Sequence, residues 1–358
     1  MHRRTTRAVC IALTLAISSF AVAACGSDNE SSTSTSGGGA ASTSTAATGK
    51  KIKVGLVTDI GGLNDRSFNF LANKGLQDAE KQLGIQGRVL ISKSNADYIP
   101  NLTTLAQQRY DLIIGVGFLM ADAVDTVAKK FPQAKFAIID FSAAAMKGKP
   151  KNVEGLLFKE QEAGYLVGYL AGLYAKDNNA TTISSVGGQK IPPVDHYIAG
   201  YQAGAKAADP SIKTLNGYSQ KFDDPAPCKE IALDQVAKGA KVVFQVAGGC
   251  GLGALDAAKE KSVQGIGVDA DQSYLGPQVF TSALKKVDVA VFNAIKAAQA
   301  GKYIGGQDIT ATVKTGGIGY GKLNADAQKY QSQIQQVQKK IADGQITNIP
   351  DTVSGGGT

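Results

Sequence analysis

Residues 51–68 read KIKVGLVTDIGGLNDRSF and join an apolar run to a polar loop. The run 51–57 is short and rich in Val, Ile and Leu, which predicts a strand buried on both faces. Apolar residues at helical spacing then predict a helix over 67–83. A buried strand that leads through a polar loop into a helix is the unit from which parallel α/β sheets are built.

The same alternation continues along the chain in two series. The first series adds strands at 88–92, 111–115, 135–140 and 153–158, with helices at 100–108, 121–131 and 160–175. The second series has strands at 181–186, 213–218, 241–246 and 264–268, with helices at 196–208, 227–238 and 253–261. Two such series predict an α/β protein of two doubly wound parallel-sheet lobes, with helices on both faces of each sheet.

The C-terminal part has too few predicted strands for a third domain, so we expect it to complete the two lobes. The first lobe is predicted at 51–160, completed by about 276–305. The second is predicted at 161–275, completed by about 306–354. A chain that crosses between lobes several times forms a multi-strand hinge. Because ligands of open α/β sheets bind beyond the carboxyl ends of the strands, both lobes should face one cleft.

The N-terminus has the features of a secretion signal. Three arginines precede an apolar stretch that is short for a membrane span, and the small residues 21–24 lead to Cys25. This resembles a bacterial lipobox, which implies a signal peptide at 1–24 and lipid on Cys25 that holds the protein at the outer face of the cytoplasmic membrane. Ordinary cleavage that leaves Cys25 unmodified is the alternative. Residues 25–50 consist mostly of Ser, Thr, Gly and Ala and predict a flexible tether.

The charge of the chain bears on its partners, and its cysteines bear on its possible crosslinks. Without Arg3, Arg4 and Arg7, the 38 basic residues fall to 35 against 30 acidic ones, a net charge of about +5. The lysines are scattered without interleaved aromatics, which indicates that nucleic acid is not a partner. Cys228 and Cys250 remain in the folded part, and both a disulfide and two separate buried thiols are compatible with the sequence.

Polar side chains and an aromatic ring follow the first predicted strand, where a ligand is expected. Asp59, Asn64 and Phe68 are candidates for contact with it. Asn64, Asp65 and Ser67 are also residue types that cap helix N-termini.

Asp59 with Asn64-Asp65-Arg66-Ser67-Phe68-Asn69 resembles the signature of the basic membrane lipoproteins, the purine-nucleoside receptors among ABC-transporter substrate-binding proteins. Further matching motifs are Gly115-Val116-Gly117-Phe118, Phe136 to Asp140, Gly187-Gly188, Phe222-Asp223-Asp224-Pro225, Ala247-Gly248-Gly249, Gly267 to Gln272 and Thr281 to Lys285. The resemblance implies a fold like the type I periplasmic binding proteins. It also implies a monomer without a cofactor that serves a permease and its ATPase.

The resemblance also implies a set of ligand contacts. A purine would lie between Phe68 and Phe222, and base stacking contributes roughly 1–3 kcal/mol in single-strand binders. Asp59 would accept hydrogen bonds from the base edge, Asp269 would bind two ribose hydroxyls, and Lys285 would donate to ribose oxygens.

Three assignments near the cleft are less direct. Gly248 belongs to a glycine turn that would let the backbone approach the sugar. Asp122 and Phe118 follow the third strand; Asp122 is kept as a ligand contact, whereas Phe118 is expected in the core. Phe222 precedes a turn sequence, so an edge-packing role is its alternative.

Two enzyme functions are alternatives to a binding function. Gly249-Cys250-Gly251-Leu252-Gly253-Ala254 has the spacing of a dinucleotide-binding turn, with Asp269 20 residues past Gly249. No acid–base set accompanies it, and His196 has no nucleophile or metal-ligand cluster beside it. We therefore expect no catalytic residues and no metal. Among binding proteins, a receptor for a sugar or a signalling riboside is the alternative, and the lack of tryptophan favours an aromatic cargo.

Overall fold

The computed structural model describes residues 50–354. The predicted signal peptide, the lipid site Cys25 and the tether up to residue 49 lie outside the described residues. Within 50–354, no helix is both long and apolar enough to cross a membrane.

The strands and helices alternate through most of this range. In chain order they are β1 Lys53–Val57, α1 Phe68–Leu83, β2 Gln86–Leu90, α2 Tyr98–Gln107, β3 Leu112–Gly115, α3 Ala121–Lys130, β4 Lys135–Ile139, β5 Val153–Phe158, α4 Glu160–Asp177, β6 Thr182–Gly187, α5 Pro192–Ala208, β7 Lys213–Tyr218, α6 Pro225–Ala237, β8 Val242–Val246, α7 Gly251–Glu260, β9 Gln264–Asp269, β10 Val279–Lys285, α8 Val287–Gln299, β11 Asp308–Ala311, β12 Ile318–Tyr320 and α9 Gln331–Ala342.

The first lobe is built on a six-stranded sheet of order β11-β5-β4-β3-β1-β2. All neighbouring strands in it are parallel. Val54 and Leu56 of β1 belong to one apolar layer and Val57 to the layer on the other face. The central strand is therefore covered on both faces, as its continuous apolar run predicts.

The second lobe is built on a six-stranded sheet of order β12-β10-β9-β8-β6-β7. Its pairs are parallel except that β12 runs antiparallel to β10. Helices α4 and α5 pack closely, because added Cβ atoms on Gly164, Gly168 and Gly204 would meet backbone of the facing helix. Two doubly wound lobes confirm the predicted α/β fold class.

The chain crosses between the two lobes three times within residues 50–354, at 158–160, 285–287 and 311–318. These crossings correct the lobe boundaries expected from the sequence. β10 joins the second sheet, whereas 276–305 is predicted in the first lobe; α8, later in that range, does pack against α1. β11 joins the first sheet although 306–354 was assigned to the second. Hydrophobic periodicity marks a strand but does not reveal which distant sheet edge it pairs with.

A disulfide joins Cys228 of α6 to Cys250, directly before α7, with Cα atoms 5.6 Å apart. The two helices pack closely, because a Cβ atom added to Gly253 of α7 would meet the backbone of Pro225 in α6. The bond therefore ties two neighbouring helices on one face of the second sheet.

Candidate functional site

A cavity lies between the lobes at the carboxyl ends of their strands. Its empty volume is about 590 Å³, part of which is open to solvent. The first lobe contributes Asp59, Ile60, Asp65, Phe68, Asn69, Gly117, Phe118 and Asp140. The second lobe contributes Ile191, Pro193, Val194, Tyr197, Phe222, Val246, Gly248, Val268, Asp269 and Lys285. This is the place where open parallel sheets bind ligands.

Asp59 follows β1, and of its two carboxyl oxygens only Oδ1 accepts hydrogen bonds from the described residues. Its Oδ1 accepts from the backbone N–H of Ile60 at 2.7 Å and from the hydroxyl of Tyr98. Its own N–H donates to Oδ1 of Asn69 at 2.8 Å. Burial raises the pKa of Asp59 to about 6, although the hydrogen bond from Tyr98 opposes the rise.

Asp65 holds the loop that brings Phe68 to the cavity. Its carboxylate accepts from the backbone N–H groups of Ser67 at 3.1 Å, Asn69 at 2.7 Å and Phe70 at 3.0 Å. These are free N–H groups at the start of α1, so Asp65 caps the helix. Phe68, the first residue of α1, is thereby fixed with its ring at the cavity wall.

Phe222 reaches the cavity from the second lobe, after β7. Its carbonyl accepts from the backbone N–H of Cys250 at 3.0 Å. A Cβ on Gly249 would lie 3.1 Å from that carbonyl oxygen, and a Cβ on Gly188 would meet the Phe222 ring. Glycine at these two positions leaves room for Phe222 beside the turn that follows β8.

Asp269 ends β9 with φ of 59°, a conformation that few residues other than glycine adopt. Its carboxylate accepts from Ser67 Oγ at 2.7 Å and from the Tyr197 hydroxyl at 3.1 Å. Burial raises its pKa, and Lys285 opposes the rise. Because Ser67 belongs to the first lobe, Asp269 links the two lobes beside the cavity.

Lys285 ends β10 and is 1% exposed. Its Nζ lies 2.6 Å from Asp140 Oδ1 and 2.9 Å from Glu160 Oε1. Burial alone would lower the pKa of Lys285, but the nearby carboxylates outweigh it and raise the pKa. The ammonium also lies 5.1 Å from the centre of the Phe68 ring, within the range of a cation–π contact.

The cavity brings together most of the ligand contacts predicted from the sequence. Those that line it are Asp59, Phe68, Phe222, Gly248, Asp269 and Lys285. Asn64 and Asp122 do not line it, which corrects their assignment. Asn64 is exposed in the loop before α1. Asp122 lies on the outer face of α3, where its side chain is 83% exposed and pairs with Lys147 at 3.3 Å.

The structure adds cavity residues that the sequence did not single out. Asp140 follows β4 with φ of 67°, and Tyr197 lies on α5. Phe118, expected in the core, lines the cavity and packs on Phe141 with ring centres 5.2 Å apart. Asp140 ends a predicted strand, so its position could have indicated it. Tyr197 lies inside a helix and does not follow a strand, so its sequence position does not indicate a cavity residue. The helix α5 is predicted to begin at 196 and begins at Pro192.

The glycine turn and the histidine that suggested the two enzyme hypotheses have structural roles. A Cβ on Gly251 would meet the Gln245 side chain, and one on Gly253 would meet Pro225, so these glycines serve packing. Nδ1 of His196 lies 3.2 Å from Glu160 Oε2, and the other oxygen of that carboxylate, Oε1, pairs with Lys285. Among residues 50–354, no cluster of His, Cys, Asp or Glu could hold a metal ion.

Two α/β lobes that share one lined cavity are the architecture of a solute-binding protein. Residues 52–351 match the family described as "ABC transporter substrate-binding protein PnrA-like". The chain therefore belongs to this family, whose members bind a transported substrate and are not enzymes.

Individual relatives agree with this assignment. The chain is 38% identical over 288 residues to an uncharacterized lipoprotein of Pyrococcus horikoshii, covering 77% of this chain and 70% of that protein. It is 34% identical to the "ABC transporter nucleoside-binding protein BmpA" of Lactococcus lactis, covering 83% and 88%. An ABC transporter solute-binding protein of Aeropyrum pernix K1 superposes with a TM-score of 0.75 at 28% identity, covering 84% and 94%.

Proposed function

We propose that the protein captures a nucleoside, with a purine as the base, and releases it unchanged to an ABC importer. The observation that carries the proposal is the pair of phenylalanines, Phe68 and Phe222, which reach one cavity from opposite lobes. Two rings on opposite walls suit a flat heterocycle, because aromatic faces attract each other and exclude water.

The polar groups of the cavity divide into two sets that suit the two parts of a nucleoside. Asp59, with Oδ2 toward Gly117 and Phe68, would accept a hydrogen bond from the base edge. Asp269 and Lys285 form the other set, together with Asp140 and Tyr197, and would bind the ribose hydroxyls. Both Asp269 and Lys285 have protein partners, and these hold the two side chains in place beside the cavity.

Ligand binding would favour the closed arrangement of the lobes. A ligand that touches both lobes only when they are closed shifts the equilibrium by its difference in affinity for the two states. The closed protein would then dock on a membrane permease driven by an ATPase, as expected for a substrate-binding protein of an ABC transporter. Attachment through lipid on Cys25, at the outer face of the cytoplasmic membrane, fits the relatives named lipoproteins.

Isothermal titration calorimetry tests the cargo. Adenosine, guanosine, inosine, cytidine, uridine and ribose are titrated into the purified protein. We expect a Kd of about 1 μM or tighter, near −8 kcal/mol, for at least one purine nucleoside. Tighter binding of ribose than of every nucleoside would favour the sugar alternative. The absence of heat from all six compounds would refute the proposal.

Phe68→Leu tests the base platform in the same assay. Leucine keeps apolar bulk but removes the π face, so we expect the nucleoside Kd to rise about tenfold, in line with the contribution of stacking. The matched control is Phe70→Leu, since Phe70 lies two residues further along α1 and is 44% exposed. An equal loss in both variants would show that the effect is not due to stacking at the cavity.

A further inference from the structure

The two oxygens of the Asp59 carboxyl have different surroundings. Oδ1 accepts two hydrogen bonds, from the N–H of Ile60 and the hydroxyl of Tyr98. Oδ2 accepts none from the residues that the structure describes. It lies beside Gly117, where φ is 109° and an added Cβ would be 2.5 Å from Oδ2. The glycine therefore leaves room for Oδ2, and both Gly117 and Asp59 line the cavity.

This asymmetry decides where a proton binds. An ionised carboxylate is an acceptor only, whereas a protonated one has a single O–H donor. A proton on Oδ1 would oppose the two donors that point at this atom, so the proton goes to Oδ2. Protonation thus turns the oxygen beside the cavity from an acceptor into a donor, and the contacts of Oδ1 stay as they are.

Burial raises the pKa of Asp59 to about 6, so both forms are populated near neutral pH. The titratable groups nearest to it are the phenol of Tyr98 on α2 and the carboxyl of Asp65 ahead of α1. The other charged residues that line the cavity are Asp140, Asp269 and Lys285.

We propose that Asp59 is a proton-controlled specificity residue: its ionised Oδ2 accepts a hydrogen bond from an amino or ring N–H group of the base, and its protonated Oδ2 donates one to an unprotonated ring nitrogen. The inference deepens the proposed function and rests on it, because it assumes that a base edge meets Asp59. It predicts that the preference of the site between donor and acceptor bases changes with pH.

Two ribosides with the same sugar test this inference. Adenosine carries a 6-amino donor, whereas purine riboside has ring nitrogens and no N–H on its base. Calorimetry gives the Kd of each from pH 5 to pH 8, and the measured quantity is the ratio of the Kd of purine riboside to that of adenosine. Other titratable groups, such as His196 and Asp140, act on both ligands, so their effects largely cancel in the ratio.

We expect the ratio to be about tenfold larger at pH 8 than at pH 5, since one hydrogen bond to a charged group is gained or lost. The change should be centred near the pKa of Asp59. In Asp59→Asn, an amide N–H₂ faces the cavity at every pH, so the ratio should be small and constant.

The outcomes separate the two proposals. If both ribosides bind and their ratio is the same from pH 5 to pH 8, the inference about Asp59 is overturned while nucleoside binding stands. If neither binds at any pH, the proposed function and this inference both fall.

Tyr98→Phe provides a second, independent measurement. It removes a hydrogen bond that lowers the pKa of Asp59, so the midpoint of the ratio should move to higher pH. Tyr110→Phe is the matched control, because Tyr110 packs in the same apolar cluster as Tyr98 and makes no side-chain hydrogen bond with described residues. A midpoint that moves equally in both variants, or in neither, contradicts the role given to Oδ1.

Discussion

At the residue scale, the buried carboxylate of Asp59 lowers the free energy of unfolding when it is ionised at neutral pH. Asp59 as a whole residue is 6% exposed, and burial raises the pKa of its carboxyl from 3.8 to about 6 in the folded protein. A raised carboxyl pKa gives stability that is fully present below about pH 4 and is lost as the pH rises through about 6. The ionised group is retained although it destabilises the fold, which is common for residues that bind ligands.

We therefore expect Asp59→Asn to stabilise the protein at pH 7.5. The gain should be about 1–3 kcal/mol, since one pKa unit corresponds to about 1.4 kcal/mol, and it should vanish below about pH 4. Urea unfolding at several pH values measures it, with Asp256→Asn on the exposed face of α7 as the control. A loss of stability at pH 7.5 would contradict the assigned environment of Asp59.

Residues that directly follow strands are the ones that sequence can find. Asp59 is predicted from its place after the first strand, because ligands of parallel sheets bind at the carboxyl ends of the strands, whereas the ligand contact of Asp269 is implied by the family resemblance. Asp122 was misplaced because it lies on the outer face of α3, and the helical face depends on where the helix packs. The role of Tyr98 as the partner of Asp59 could not be predicted, since 39 residues separate them in the chain.

At the element scale, strand and helix positions follow from the local sequence, whereas some boundaries do not. α5 begins at Pro192 and α6 at Pro225, earlier than the apolar periodicity predicts. Proline suits the first position of a helix, because its missing N–H would have no partner there. The interior strand β10 and the edge strand β11 lie in the opposite lobes from those predicted, since strand partners are set by contacts far along the chain.

The disulfide between α6 and the start of α7 should stabilise the second lobe. The two cysteines are 22 residues apart, and closing a loop of this length in the unfolded chain is expected to contribute about 3 kcal/mol. The double variant Cys228→Ala, Cys250→Ala should lose about this amount in urea unfolding. The reduced wild-type protein is the control, and an undiminished stability in both would show that the bond does not restrain the unfolded chain.

At the scale of the whole molecule, side chains of the two lobes contact each other beside the cavity. Ser67 Oγ donates to Asp269, Lys285 pairs with Asp140, and Gln272 Nε2 donates to the carbonyl of Arg66 at 3.2 Å. Each contact joins a residue of the first lobe to one of the second. These contacts stabilise the closed arrangement of the lobes. The ligand therefore has to supply less free energy to shift the equilibrium toward closure.

Ser67→Ala should weaken nucleoside binding by destabilising closure. We expect the Kd to rise about fivefold, since the lost hydrogen bond contributes about 1 kcal/mol, and the radius of gyration of the free protein to increase in small-angle X-ray scattering. Ser184→Ala is the control, because Ser184 is fully buried within the second sheet. A Kd that rises as much in the control would mean that closure is not involved.

The triple crossing of the chain also constrains how the protein acquires its structure. β11 closes one edge of the first sheet and β12 one edge of the second, and both come from the last 51 of the 358 residues. Neither lobe is therefore complete until residues 308–320, which form β11 and β12, are available to pair. Assembly of the protein should be all-or-none, with early segments in need of protection from premature collapse and proteolysis until the C-terminus arrives.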